Sequence, residues 1–276
     1  MPWGRFRLTA AGGAAYVRGM STEPPPSDRP KVVSCNIESV DGRLTIAPGV
    51  QLLFGEERWS AITGDCDPYR WMVDVHDPQL FLEGSGSFVA ADAPAVAYPP
   101  GDRDGALLDE HFLPGAVVDV PDRRWMAVVD GRGRVQLQFR EWPDPAWSGW
   151  HALMIVSRAV DPAHLAWLRG QGIPYLVAGD GPVDLRLALR LLRSELGVTT
   201  VVATGGGRMS GALLRADLID EVDLEVVPAA IGGRGTPALF DGEPLGPDEW
   251  PTRLRLLSHQ ATGDGHLRLR YAVDRG

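Results

Sequence analysis

The chain has 276 residues, 44% of them hydrophobic and 23% charged, an ordinary globular composition with length enough to bury a core without disulfide or metal staples. A formal charge of -9 and a pI near 5.1 argue against nucleic acid or an anionic membrane as partner. The one lysine, Lys31, and the two cysteines, Cys35 and Cys66, leave no phosphate-loop Gly-Lys-Ser/Thr and no cysteine-rich zinc pattern, and His-x-Glu, His-Glu-x-x-His and Gly-x-Ser-x-Gly are also absent.

Residues 1–30 read as a disordered leader with four prolines in Ser21–Pro30, and Met20 is a candidate start. Four arginines against Glu23 and Asp28 make this segment basic, so residues 31–276, read as a single domain, carry about two more negative charges than the whole. Few cysteines and no export signal predict a cytoplasmic protein with no metal.

Lys31–Ile37 is a β-branched run and predicts a buried first strand, followed by the turn Asp41-Gly42-Arg43. Glu56–Ala61 and Pro68–Val75 predict helices. Gln79–Leu82 predicts a short strand ending at Gly84-Ser85-Gly86-Ser87, and Ala90–Pro121 reads mostly as loop. Trp125–Val129 and Arg134–Phe139 predict a hairpin around Asp130-Gly131-Arg132-Gly133.

Ala152–Val156 predicts a strand, and Asp161-Pro162 caps a helix that stops at Gly170. After a strand at Tyr175–Val177, Asp184 caps a helix with Leu185, Ala188, Leu189, Leu192 and Leu196 on one face, closed by Gly197. Thr199–Ala203 predicts a strand, Gly205-Gly206-Gly207 a turn and Met209–Arg215 a helix. Val222, Leu224 and Val226 alternate with Glu221, Asp223 and Glu225, predicting a strand with one buried face. Arg253–Ser258 and His266–Tyr271 close the chain as an antiparallel hairpin. Strand–helix alternation of this kind predicts an α/β fold, a mixed sheet with helices on both faces.

The glycine triplet is the strongest local signal. A strand running through such a turn into a helix start exposes backbone N–H groups and a partial positive charge, which suits a phosphate. It equally suits a tight turn, and Ser210 interrupts the dinucleotide fingerprint. Gly84-Ser85-Gly86-Ser87 also follows a strand, and ligands of open α/β sheets bind outside such ends. Ser157 and Arg158 follow another strand and offer a hydroxyl and a guanidinium. Glu38, Asp41 and Asp92 are acids beside strand ends, candidate proton donors or simple turn formers. Asp65, Asp67, Asp74, His76 and Asp77 fit helix capping and a solvated face better than a metal site. Trp59, Trp71, Trp125, Trp142, Trp147, Trp150 and Trp167 read as core or loop anchors.

Several segments together resemble the riboflavin-biosynthesis pyrimidine reductases, the reductase domain of the bifunctional deaminase–reductase, which share the dihydrofolate reductase-like fold. They are Arg29–Val33 leading to Ser39–Arg43, Leu82–Phe88, Val183–Leu189, Gly205–Met209 with Gly211–Leu214, Ala216–Glu221 and Gly232–Pro237. The resemblance implies NADPH, a homodimer and hydride transfer to a C=N or C=O bond of a small polar, heterocyclic substrate. It implies that Gly205, Gly206, Gly207 and Arg208 cradle the pyrophosphate, that Gly84, Gly86 and Ser87 hold cofactor phosphates, and that Ser157 and Arg158 take the 2′-phosphate. Asp41 and Asp92 are then the catalytic candidates, with Ser39, Arg43 and Thr204 lining the substrate end. The chain departs from these reductases in carrying Thr204 where they carry Glu before the glycine pair. Asp92-Ala93-Pro94 replaces their Asp-Asp-Pro, with no arginine until Arg103. A ribosylamino-pyrimidine reductase and a non-catalytic nucleotide-binding protein are the alternatives.

Overall fold

A computed structural model describes residues 27–52, 55–64, 68–94, 96–98, 104–141, 147–262 and 264–275. Most of the expected leader, together with Cys66, Arg103 and Trp142, lies outside the described residues. The strands are β1 (Lys31–Ser39), β2 (Leu80–Gly84), β3 (Arg124–Val129), β4 (Trp150–Val156), β5 (Tyr175–Val177), β6 (Thr200–Ala203), β7 (Glu221–Val227), β8 (Arg253–Ala261) and β9 (Leu267–Asp274). They form one sheet in the order β5-β4-β3-β2-β6-β1-β7-β9-β8. From β5 to β7 every pairing is parallel, and β9 and β8 close the edge antiparallel.

Parallel strands need crossovers, so both faces of the sheet are covered and the strands read as apolar runs. β4 is buried along its whole length. Its Leu153 and Ile155 pack under α5 (Leu185–Leu196) and α6 (Gly207–Arg215), with Ala188, Leu189, Leu192 and Leu213. Ala152, Met154 and Val156 point the other way, onto Leu165 and Leu168 of α4 (Pro162–Gln171). Further along that second face, Trp71 and Met72 of α2 (Pro68–His76) cover Val33, Phe81 and Val202. α1 (Glu57–Thr63) and the single turn α3 (Gly115–Val118) lie in the connections.

The helix ends follow their sequence signals, except that α4 runs through the expected stop at Gly170 to Gln171. The side chain of Asp161 accepts from the Ala163 N–H and that of Asp184 from the Leu187 N–H, and Gly172 and Gly197 close α4 and α5 in the left-handed region. The segment 90–121 holds a short 3-10 helix, Gly105–Asp109, besides α3.

Two expectations are corrected. Arg134–Phe139 does not return as a hairpin strand. β3 already has a parallel neighbour on each side, and the buried Asp130 carboxylate accepts the N–H groups of Arg134 and Val135, both at 2.6 Å. That turn throws the chain across the sheet face, where Val135 and Leu137 become core. The acids of β7 were expected to face solvent, yet Asp223 and Glu225 are buried. Glu225 meets His266 at 2.8 Å and Arg268 at 3.2 Å, and Asp223 meets His76 at 2.6 Å. Arg268 also stacks on Trp71, 4.9 Å from the ring centre.

Candidate active site

Because β1 to β7 run parallel, all the singled-out turns emerge at one edge of the sheet. Ser157 and Arg158 follow β4, Gly84 to Ser87 follow β2, Thr204 to Gly207 follow β6, and Ser39 to Arg43 end β1. Four strand spacings of about 4.8 Å separate β4 from β1, so the expected residues span about 19 Å. β2 and β6 are direct neighbours, which puts the two glycine turns side by side. The Thr204 and Gly205 N–H groups both donate to the Leu82 carbonyl at 3.1 Å.

The glycines divide by what surrounds them. A methyl on Gly205 would meet Met209 at 2.9 Å and the Gly84 backbone nitrogen at 3.1 Å, so Gly205 permits the two turns to touch. On Gly207 it would lie 2.0 Å from the Ala238 carbonyl oxygen. Gly207 therefore serves packing of the loop after β7 against α6, and its carbonyl accepts the Asp241 N–H at 2.9 Å. Among the described residues, Gly206 and Gly86 have nothing within 4 Å of the equivalent position. These two open glycines sit at a helix start and a 3-10 turn, where unpaired N–H groups collect. Exposed Arg208 stands beside them. This open, positively polarised surface fits a dinucleotide phosphate, through Gly206 and Gly86 rather than Gly205 and Gly207.

Between the turns lies Glu83, a site residue that the sequence reading passed over. It is only 4% exposed and holds both turns: Ser87 Oγ donates to its Oε2 at 2.7 Å and Thr204 Oγ1 donates to Oε1. Burial raises its pKa, against the two hydroxyl bonds that lower it. The signal was present as a lone acid in the otherwise apolar Leu80-Phe81-Leu82-Glu83. Strand pairing extends the feature sideways. Leu82 pairs with Ala203, Ser34 with Ala203, and Cys35 with Asp223, so Glu83, Thr204, Cys35 and Asp223 form one row on one face. Ligand-type atoms of Cys35, His76 and Asp223 lie within 4.8 Å of one another, and burial pushes the Cys35 thiol well up.

At the β1 end, Ser39 is buried and donates to Asp41 Oδ1 at 2.7 Å. Asp41 also accepts from the Ile231 and Gly232 N–H groups at 3.0 and 2.7 Å. These bonds hold its carboxyl far below the usual range. It is an ionised strap joining the β1 turn to the loop after β7, a poor fit to a proton donor. Arg43 donates to the Thr236 carbonyl at 2.8 Å and reinforces the same strap. Asp92 sits exposed in the Ala90–Ala93 turn. Burial pushes Glu38, in contrast, up to about 7, making it the acid at this edge best matched to proton exchange near neutrality.

At the β4 end, the buried Ser157 hydroxyl accepts the Ala159 N–H at 3.4 Å, its one side-chain hydrogen bond among the described residues. Arg158 is less free than expected: it pairs with Asp180 at 2.9 Å and Asp109 at 3.3 Å. A phosphate arriving there shares the guanidinium with two carboxylates, or displaces one.

An open, largely parallel sheet with adjoining glycine turns at its carboxyl edge and an antiparallel terminal hairpin defines the dihydrofolate reductase-like class. Solved structures agree at the level of fold. A pyrimidine reductase-like protein from Corynebacterium diphtheriae matches with a TM-score of 0.60 at 17% identity, over 90% of this chain and 93% of that one. RibD from Acinetobacter baumannii matches at 0.57 and 21%, over 90% of this chain and 59% of that one. The RibD C-terminal domain family matches residues 30–267, and the chain belongs to it. A 2,5-diamino-6-ribosylamino-4(3H)-pyrimidinone 5′-phosphate reductase from Methanothermobacter thermautotrophicus is 30% identical over 249 residues, covering 89% of this chain and 99% of that protein. A reductase of the same name from Aquifex aeolicus is 24% identical over 238 residues, covering 86% and 93%.

Proposed function

We propose that the chain is an NADPH-dependent reductase of a ribosylamino-pyrimidine phosphate, acting on the C=N or C=O form of its sugar carbon. The observation that carries this reading is the pair of open glycines, Gly206 and Gly86, on touching turns at adjacent parallel strand ends. The names of the full-length relatives support the substrate class. When bound, the reduced nicotinamide supplies a hydride, and one proton completes the reduction to an amine or alcohol.

The chain's own residues bind, orient and exchange that proton. The backbone at Gly86 and Gly206 holds the pyrophosphate with Arg208, the start of α6 adding favourable polarity. Ser157 and Arg158 take the 2′-phosphate, against the competition of Asp109 and Asp180. Ser39, Arg43 and Thr204 shape the substrate end, Asp41 fixes its loop, and Asp92 orients substrate from the rim. The catalytic unit begins at residue 31 and works in the cytoplasm, in keeping with its few cysteines.

The same reading includes a homodimer through β8. This edge strand is exposed along its whole length and shows Leu254, Leu256 and Leu257, each at least 41% exposed, near Trp250 at 87%. The decisive assay follows NADPH absorbance with 2,5-diamino-6-ribosylamino-4(3H)-pyrimidinone 5′-phosphate. Substrate-dependent oxidation is expected. NADPH binding without oxidation would favour a nucleotide-binding protein instead.

A further inference from the structure

Glu83 decides what kind of ligand atom its two neighbours can receive. A hydroxyl has one proton to donate and two lone pairs to accept with. Thr204 and Ser87 both send their single proton inward, to the two oxygens of one buried carboxylate. Both residues are half-buried at the carboxyl ends of adjacent strands, so neither is sealed in the core. A ligand that reaches either hydroxyl oxygen meets lone pairs alone. Phosphate oxygens carry no proton and find no side-chain donor at these two residues. An amide or amino N–H finds two acceptors on adjoining turns.

We infer that Glu83 is a positioning residue that turns Thr204 and Ser87 into an acceptor-only subsite for an N–H donor, a carboxamide or aromatic amino group of the bound reactants. The inference rests on the reductase reading above and changes the part played by Ser87, whose side chain recognises an N–H while backbone groups of its turn hold phosphate. Two reactants carry that chemistry: the nicotinamide carboxamide of the cofactor and the amino groups of the pyrimidine. Replacing the Glu83 carboxyl group by an amide of the same shape turns one of the two hydroxyls round. In Glu83→Gln the side-chain NH2 must donate to one hydroxyl, which then turns its own proton outward and meets the ligand N–H donor to donor.

The experiment uses the full chain at pH 8. It measures the Kd of NADPH and of reduced 3-acetylpyridine adenine dinucleotide phosphate, in which a methyl replaces the amide NH2. It also measures kcat and KM for 2,5-diamino-6-ribosylamino-4(3H)-pyrimidinone 5′-phosphate. If the cofactor amide occupies the subsite, wild type prefers NADPH to the acetyl analogue by about tenfold and Glu83→Gln erases that preference. If the pyrimidine amino group does, Glu83→Gln raises KM about tenfold with NADPH affinity unchanged. A thermal melt within a few degrees of wild type separates either result from misfolding. Should Glu83→Gln fail to fold, Thr204→Val carries the same expectation, because it removes one acceptor and keeps the shape. Preference and KM both within twofold of wild type in the folded variant overturn the inference while leaving the reductase reading intact. A wild-type protein that neither binds nor oxidises NADPH overturns both.

Discussion

Gly206 and Gly211 lie five residues apart, one capping α6 and one within it, yet alanine at each should fail in opposite ways. At Gly206 the backbone has φ -58° and ψ 177°, which any residue adopts, and a new methyl meets nothing within 4 Å among the described residues. Gly206→Ala should therefore cost under about 1 kcal/mol of stability, the scale of a weakened helix cap. The methyl would occupy the space through which a phosphate reaches the backbone. Losing one hydrogen bond to a charged group, worth about 1.5–3 kcal/mol, raises the NADPH Kd by roughly 10- to 150-fold. At Gly211 the methyl would fall 1.9 Å from the Asp241 carbonyl oxygen and 2.9 Å from its carbon, and both are backbone. The loop over α6 has to lift, adding about 1–3 kcal/mol of overpacking and about 1 kcal/mol for the strained Asp241–Gly207 hydrogen bond. Gly211→Ala should then melt roughly 5–15 °C lower. Thermal melts and NADPH titration of both variants give the comparison. Gly206→Ala binding NADPH within twofold of wild type would remove Gly206 from the cofactor site, and an unshifted melt for Gly211→Ala would refute the packing assigned to that loop.

Asp180→Asn removes one of the two carboxylates competing for Arg158, so NADPH should bind severalfold tighter with NADH unchanged, the gain fading in high salt. Calorimetry with both cofactors reads it, and an unaltered NADPH-to-NADH ratio rules Arg158 out of 2′-phosphate binding. Glu38 holds its proton up to about pH 7 in the folded chain, against 4.5 for an ordinary glutamate, so the folded state binds the extra proton and stability falls as pH rises through that window. Glu38→Gln should melt above wild type at pH 8 and level with it at pH 5; a constant offset across that range would refute the assignment. Leu256→Glu on the exposed β8 should give monomers by light scattering, whereas an intact dimer would place the interface elsewhere.

Much of this architecture was legible in the sequence, because α5, the short apolar strands and the terminal hairpin each carry a local period that tertiary contacts reinforce. The failures were non-local. Nothing within Arg134–Phe139 reveals that β3 is already paired on both sides or that Asp130 gathers the N–H groups of its own loop. Glu221, Asp223 and Glu225 looked solvated because their covering partners, His76, Arg268 and Arg270, lie about 45 to 150 residues away. The same limit held at the site. The two glycine clusters could be found by inspection, but their contact depends on β6 lying beside β2, 120 residues apart in the chain. Glu83 stood out locally as one acid in an apolar strand, but its role depends on the adjacency that aligns it with Thr204.

The place of β1 has a consequence for how the enzyme comes into being. The first strand lies in the middle of the sheet, Lys31 against Thr200 and Val33 against Glu221. During synthesis it leaves the ribosome without either neighbour, and most of the chain must follow before β6 and β7 can flank it. Such distant pairing makes for slow folding, with the apolar Val32, Val33 and Cys35 unshielded meanwhile. The turn that carries Ser39 and Asp41 also waits for Ile231 and Gly232 to receive its strap. Activity should therefore appear all at once and late, and a fragment that stops before β6 should retain none of it.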